Sequence, residues 1–139
     1  MPNNIIKVIL DTNLWISFLI RKDYSKLDAL LFSGRIRLIF SKELLQEFLD
    51  VARRPKFRRY FSSIDILDII ETIEEFAEFI EVQISVKACR DEKDNFLLAL
   101  AVDSKASYLL TGDLDLLELK SYHHTIITTI ADFFELSIS

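Results

Sequence analysis

The chain has 139 residues, half of them hydrophobic and 28% charged, with a formal net charge of −5; this supports one domain over 1–139 with one core and excludes a disordered or low-complexity chain. Two glycines and one cysteine exclude a glycine-rich phosphate loop, a dinucleotide fingerprint, an internal disulfide and a multi-cysteine zinc site. The charge excludes a globally basic nucleic-acid binder, so a polyanion has to be met by a local basic patch or through bound metal.

Ile5 to Leu10 is a nearly continuous β-branched run, the pattern of a buried parallel strand. Asp11-Thr12-Asn13 stop it with turn and cap residues and also interrupt any secretory signal. No uncharged stretch reaches the roughly 18 residues of a membrane span, so a cytoplasmic protein with no membrane partner is expected. Leu14 to Ile20 reads as a short helix. Ser25 to Ser33 reads as another, with Leu27, Leu30 and Leu31 on one face and Gly34 at its left-handed end. Ile36 to Phe40 is the second strand, and Ser41 the N-cap of a helix over Lys42 to Arg53 that Pro55 ends. Ser62 or Ser63 opens a long helix to about Ile80, carried by the apolar period of Ile66, Ile69, Ile70, Ile73, Phe76, Ala77 and Ile80. Glu81 to Ile84 reads as a weak strand. Asp94 to Ser104 is apolar nearly all round and is expected to be a central helix, opened by Asp94. Ser107 to Thr111 is a strand ending at Gly112, Leu114 to Leu119 a short helix, Thr125 to Thr128 the last strand and Ile130 to Leu136 the last helix. Alternation of this kind predicts an α/β fold: a three-layer α/β/α sandwich around a parallel sheet of about five strands.

Ligands in such sheets bind beyond the carboxyl ends of the strands, where strand order reverses. Asp11 follows the first strand, Asp113 follows the Ser107 to Thr111 strand, and Asp94 precedes it. Glu47 lies on the apolar side of its helix, between Leu44 and Val51, where a charge is costly unless paired or metal-bound. Each has a plain structural alternative: Asp11 as a cap, Asp94 as a helix-dipole residue, Asp113 as a turn aspartate and Glu47 as an edge residue turned outward. Together at predicted strand ends they need a counter-charge, and hard divalent cations such as Mg²⁺ or Mn²⁺ accept such oxygen ligands. Metal held this way activates water and stabilises charge on phosphate.

In these stretches the chain resembles the PIN domains, small metal-dependent nucleases, along its whole length. Asp11-Thr12-Asn13-Leu14, with Ser17 one helical turn beyond Asn13, resembles the family's start. Ser41 to Glu47 resembles the stretch carrying its second acid, Arg90 to Ala101 the third, at Asp94, and Tyr108 to Leu117, through Thr111-Gly112-Asp113, the fourth. Ile126 to Phe134 resembles its closing strand and helix. The resemblance implies Asp11, Glu47, Asp94 and Asp113 as catalytic metal ligands, with Asn13, Ser17 and Thr111 in support; Asp115 is a further candidate ligand and Asp91 an extra acid of open role. It further implies Mg²⁺ or Mn²⁺, cleavage of single-stranded RNA, homodimers and, in the prokaryotic toxin subgroup it most resembles, an antitoxin partner.

Arg53, Arg54, Lys56, Arg58 and Arg59 interleave with Phe57, Tyr60 and Phe61. Basic residues contact phosphates and aromatics stack on bases, so this run is a candidate RNA-binding element; a solvated loop is its alternative. His123-His124 lacks metal-ligand spacing, and Cys89 has no acid–base partner in sequence and reads as structural. Two other functions fit an acidic pocket: a catalytically silent RNA-binding module, and a Mg²⁺-dependent phosphatase or phospho-receiver. The last is disfavoured because Asn13 stands where a haloacid-type phosphatase needs its second aspartate, and because Asn3-Asn4 and Thr128 do not supply the early acid pair and late lysine of a receiver.

Overall fold

The computed structural model describes residues 5–32 and 34–138. Its elements in chain order are β1 (Ile6–Leu10), α1 (Thr12–Arg21), α2 (Ser25–Phe32), β2 (Ile36–Phe40), α3 (Lys42–Ala52), a 3₁₀ turn (Pro55–Phe57), α4 (Ser63–Phe76), β3 (Ala77–Phe79), α5 (Glu92–Ser104), β4 (Tyr108–Leu110), α6 (Leu114–Leu119), β5 (Ser121–Tyr122), β6 (Thr125–Thr128) and α7 (Ile130–Ile138). The strands form one sheet in the order β3-β2-β1-β4-β6-β5. All neighbours pair in parallel except β5, which runs antiparallel to β6. Right-handed crossovers put the helices that lead toward β3 on one face and those that lead toward β6 on the other, which gives the three-layer α/β/α sandwich expected from the alternation. Among the described residues no helix is long and apolar enough to cross a membrane.

The core follows the apolar runs. Val8, Ile9 and Leu10 of the central strand are fully enclosed, as a strand covered on both faces requires. Leu97, Leu98, Ala99, Leu100 and Ala101 are all buried, so α5 is the central helix that its uniform hydrophobicity predicts. Trp15 of α1 packs against Phe40 of β2 and Phe48 of α3, with ring centroids 5.5 and 6.4 Å away. This aromatic group fixes α1 against α3 and so sets the spacing between their first residues and Glu47.

Three features differ from the sequence reading. The helix expected to reach Ile80 stops at Phe76, where Ala77 turns extended, and the third strand is Ala77–Phe79 rather than Glu81 to Ile84. The open edge of β2 accounts for the change: β3 pairs with Leu38, Ile39 and Phe40, and the Ile80 amide adds a 2.8 Å bond to the Phe40 carbonyl. Those backbone bonds outweigh an apolar period that a helix and a strand satisfy about equally over three residues. The segment from Glu81 to Ile84 is instead irregular, held by the Asp103 carboxylate, which accepts from the Gln83 and Ile84 amides. Second, α5 begins at Glu92 with Asp91 as its N-cap, accepting from the Lys93 amide at 2.9 Å, so Asp94 is its third residue and not its opening one. Third, the sheet has six strands, because Ser121–Tyr122 pairs with Thr125–Ile126 across a two-residue hairpin at His123-His124. His123 takes a positive φ of 53° there, without the glycine that usually advertises such a turn. The helix read from Ser25 is described to Phe32; its expected end at Ser33 and the Leu30 side chain lie outside the described residues.

Candidate metal centre at the switch point of the sheet

Strand order reverses between β1 and β4, which pair in register through Leu10 and Leu110. The Asp11 amide continues the ladder to the Leu110 carbonyl at 3.0 Å, so the chain segments that follow these two strands leave the sheet side by side. Beyond their carboxyl ends lies a cavity of about 200 Å³ lined by Asp11, Asn13, Glu47, Asp94 and Asp113, together with Thr12, Val51, Arg54, Asp91, Lys93 and Leu97. The four acids singled out from the sequence therefore share one cavity.

Three of the four acids are held by neighbours. The Thr111 hydroxyl donates to Asp11 Oδ2 at 2.7 Å and accepts from the Asp113 amide at 3.0 Å, fixing both acids from a single side chain. Asp113 also caps α6, accepting from the Asp115 and Leu116 amides at 2.8 and 3.3 Å, and Asp11 caps α1 through the Asn13 amide at 3.4 Å. Capping and site-building are therefore combined in the same residues, because a cap aspartate at a strand end already faces the crevice. Glu47 accepts a 2.9 Å bond from the Thr12 hydroxyl at Oε2 and pairs with Lys93 at 3.5 Å through Oε1. Asn95, buried in the first turns of α5, bonds the Cys89 amide and carbonyl at 2.7 and 3.0 Å and ties down the loop that delivers Asp91 and Asp94.

Asp94 differs from the others. It is only 5% exposed, and its carboxylate accepts no hydrogen bond from the described residues. Burial, with the charges of Asp113, Asp91, Asp11 and Asp115 around it, pushes its carboxyl up to about 6. Burial also raises Asp11, opposed by the Thr111 and Asn13 hydrogen bonds and reinforced by Asp113 and Glu47. A carboxylate oxygen from each of Asp94, Asp113 and Asp115 lies within 4.8 Å of the other two. A carboxylate on the cavity wall without a donor, set beside two more, fits a hard divalent cation with oxygen ligands and not a soft one. Asp115 also pairs with Arg90 at 3.2 Å. Asp11 and Glu47 line the same cavity but lie outside that trio.

The remaining sequence candidates divide. Ser17 is half-buried and does not line the cavity. Of the basic run only Arg54 reaches it; Arg53 and Arg58 line a second cavity, while Lys56 and Arg59 lie over the rings of Phe57 and Tyr60. His123-His124 leads into the amino end of β6, away from the carboxyl ends where the acids collect. The Cys89 thiol is raised by burial and by nearby acids, which favours its protonated form. Thr12, Lys93 and Asn95 carry no motif signal beyond adjacency to Asp11 and Asp94, and their roles emerge only through contacts.

A family model of the PIN domain matches residues 7–115, a span that contains Asp11, Glu47, Asp94, Asp113 and Asp115. The chain belongs to the PIN domain family. An uncharacterised protein of Methanocaldococcus jannaschii is 35% identical over 118 residues, covering 83% of this chain and 76% of that protein. PIN domains are generally nucleases that use divalent metals, and this PIN domain has the nuclease-type fold and an acidic cluster able to bind a metal.

Proposed function

We propose that this PIN domain is an Mg²⁺- or Mn²⁺-dependent endoribonuclease that cuts single-stranded RNA. The observation that carries the reading is the Asp94 carboxylate on the wall of the cavity, lacking a hydrogen-bond donor and set within 4.8 Å of carboxylate oxygens of Asp113 and Asp115. Asp94 and Asp113 would hold the cation, with Asp115 released from Arg90 to join them and Asp11 completing the pocket. A cation there supplies the counter-charge the acids need, a bound water of lowered pKa, and neutralisation of charge developing on the phosphate. Glu47, fixed by Thr12 and Lys93, orients the attacking water and receives its proton at a carboxylate oxygen. Lys93 and Arg54 bring positive charge to the rim, where the phosphodiester enters. The gathering of Asp11, Glu47, Asp94 and Asp113 in one cavity favours this reading over a silent RNA-binding module, which has no use for carboxylates held this close together.

Cleavage of a single-stranded RNA oligonucleotide in Mg²⁺, in Mn²⁺ and in EDTA tests it, beside Asp94→Asn and Glu47→Gln. Cutting that needs metal and falls by orders of magnitude in both variants is expected; wild-type rates in the variants would remove the pocket from the reaction. The biological setting we propose is the toxin of a toxin–antitoxin pair, acting as a homodimer and covered by its antitoxin when silent. Expression of the wild type should then arrest growth, and expression of Asp94→Asn should not.

A further inference from the structure

The segment from Arg53 to Phe61 holds five basic residues and no acid in a chain whose acids outnumber its bases, but it does not form a single surface. Glu47, Val51 and Arg54 lie at spacings of four and three along α3 and its end, on the face that lines the acidic cavity. Arg53 stands one residue back, on the adjacent face, and with Arg58 lines a separate cavity of about 540 Å³. Phe61 and Ile66 are buried and give that cavity an apolar lining, while Arg53, Arg58, Ser62 and Ser63 are exposed. Neither arginine has a carboxylate within ion-pair distance among the described residues. The nearest acid before Arg53, Asp50, accepts from Gln46 Nε2 at 2.9 Å, and the nearest after Arg58, Asp65, is committed to the capping box with Ser62; neither lines this cavity. Two unpaired guanidinium groups over an apolar and aromatic lining match a nucleotide: phosphate on the arginines, sugar and base against the apolar surface.

We infer that the Arg53–Arg58 cavity is a subsite for a nucleotide of the RNA strand flanking the bond to be cut, with Arg54 passing the strand from one cavity to the next. The inference rests on the nuclease reading for its orientation but not for its binding chemistry. Consecutive arginines at the end of one helix serve two cavities, so a strand whose scissile phosphate reaches the acids meets Arg54 first and Arg53 with Arg58 next. Lys56 and Arg59, already over their neighbouring rings, are not part of the subsite.

Metal-free protein in EDTA, titrated by nuclear magnetic resonance with a uridine tetranucleotide, uridine monophosphate or inorganic phosphate, tests the subsite. The tetranucleotide should shift the amides of Arg53, Ser62 and Ser63. Arg53→Gln with Arg58→Gln should weaken its binding on the order of tenfold and flatten the salt dependence by about 1.4 log units per log unit, two contacts at about 0.7 each for a single strand. Arg53→Lys with Arg58→Lys should keep that slope. In Mn²⁺ the Gln pair should raise KM and leave kcat near wild type. Unmoved amides, wild-type affinity and slope in the Gln pair, or uridine monophosphate binding as tightly as the tetranucleotide would each overturn the subsite. Binding lost in the Gln pair by a wild-type protein that cuts no RNA would leave the subsite standing and sink the nuclease reading. Cutting with unchanged KM in the Gln pair would do the reverse.

Discussion

Asp94 carries the clearest electrostatic signature in the molecule. Its carboxyl lies at about 6 in the folded, metal-free protein, whereas in an unfolded chain an aspartate titrates near about 3.9. The folded state therefore holds the proton more tightly, so the stabilisation from protonating Asp94 is fully present below about pH 4 and is lost as pH rises through about 6. Above that, a buried negative charge beside other carboxylates works against the fold. Asp94→Asn removes that charge and should melt at a higher temperature than the wild type in EDTA at pH 7.5. The gap should close by pH 4.5. Circular-dichroism melts across this range check it, and a gap independent of pH would show that Asp94 is not titrating as its surroundings require.

At the scale of elements, the irregular segment between β3 and α5 takes the place of a predicted strand and is held by side-chain anchors. Asp103, late in α5, accepts from the Gln83 and Ile84 amides. Asn95, early in the same helix, holds Cys89 at the other end. The central helix thus serves as a post to which the loop is tied at both ends, and only the second tie adjoins the acidic cavity. Asp103→Ala should lower stability by about 0.5–1.5 kcal/mol, the net worth of hydrogen bonds whose amides water can satisfy once freed. It should speed amide exchange at Gln83 and Ile84 and leave RNA cleavage at the wild-type rate. A loss of cleavage as large as that of Asp94→Asn would mean that the loop, and not only its Asn95 end, positions the site.

For the whole molecule, a metal held by these acids would be linked to the fold. The acids come from the turn after β1, α3, α5 and the segment after β4, stretches separated by up to about a hundred residues of chain (Thr111 to Asp11 spans 100). A cation bound by them is bound only by the folded state, and ligand at about 100 times its Kd adds about 2.7 kcal/mol of stability. Mn²⁺ should therefore raise the melting temperature of the wild type at pH 7.5. The rise should be smaller for Thr111→Val, which keeps every carboxylate but frees Asp11 and Asp113 from their shared hydroxyl, an outer contact of the sort worth about 10–100-fold in metal affinity. It should be smallest for Asp94→Asn. Equal shifts in all three proteins would place metal binding elsewhere.

Much of this was legible in the chain because it depends on neighbours in sequence. The enclosed β1, the uniformly buried α5, the caps at Ser41 and Ser62 and the left-handed Gly34 at φ 74° follow from runs, periods and turn chemistry within a few residues. So does the presence of acids at the ends of predicted strands, and the order of those stretches was enough to suggest the family. Long-range pairing decided the rest. The open edge of β2 converted the end of a helical period into β3, and β6 drew Ser121–Tyr122 into an antiparallel edge strand that no glycine announced. Packing of α1 on α3 brought Thr12 to Glu47, and the β1–β4 pairing brought Thr111 to Asp11. The path of the chain after α3 separated Arg54 from Arg53 and Arg58 and sent them to different cavities. Local signals name which groups a segment offers, but the partner a group meets is chosen by backbone hydrogen bonds and buried surface contributed from distant parts of the chain.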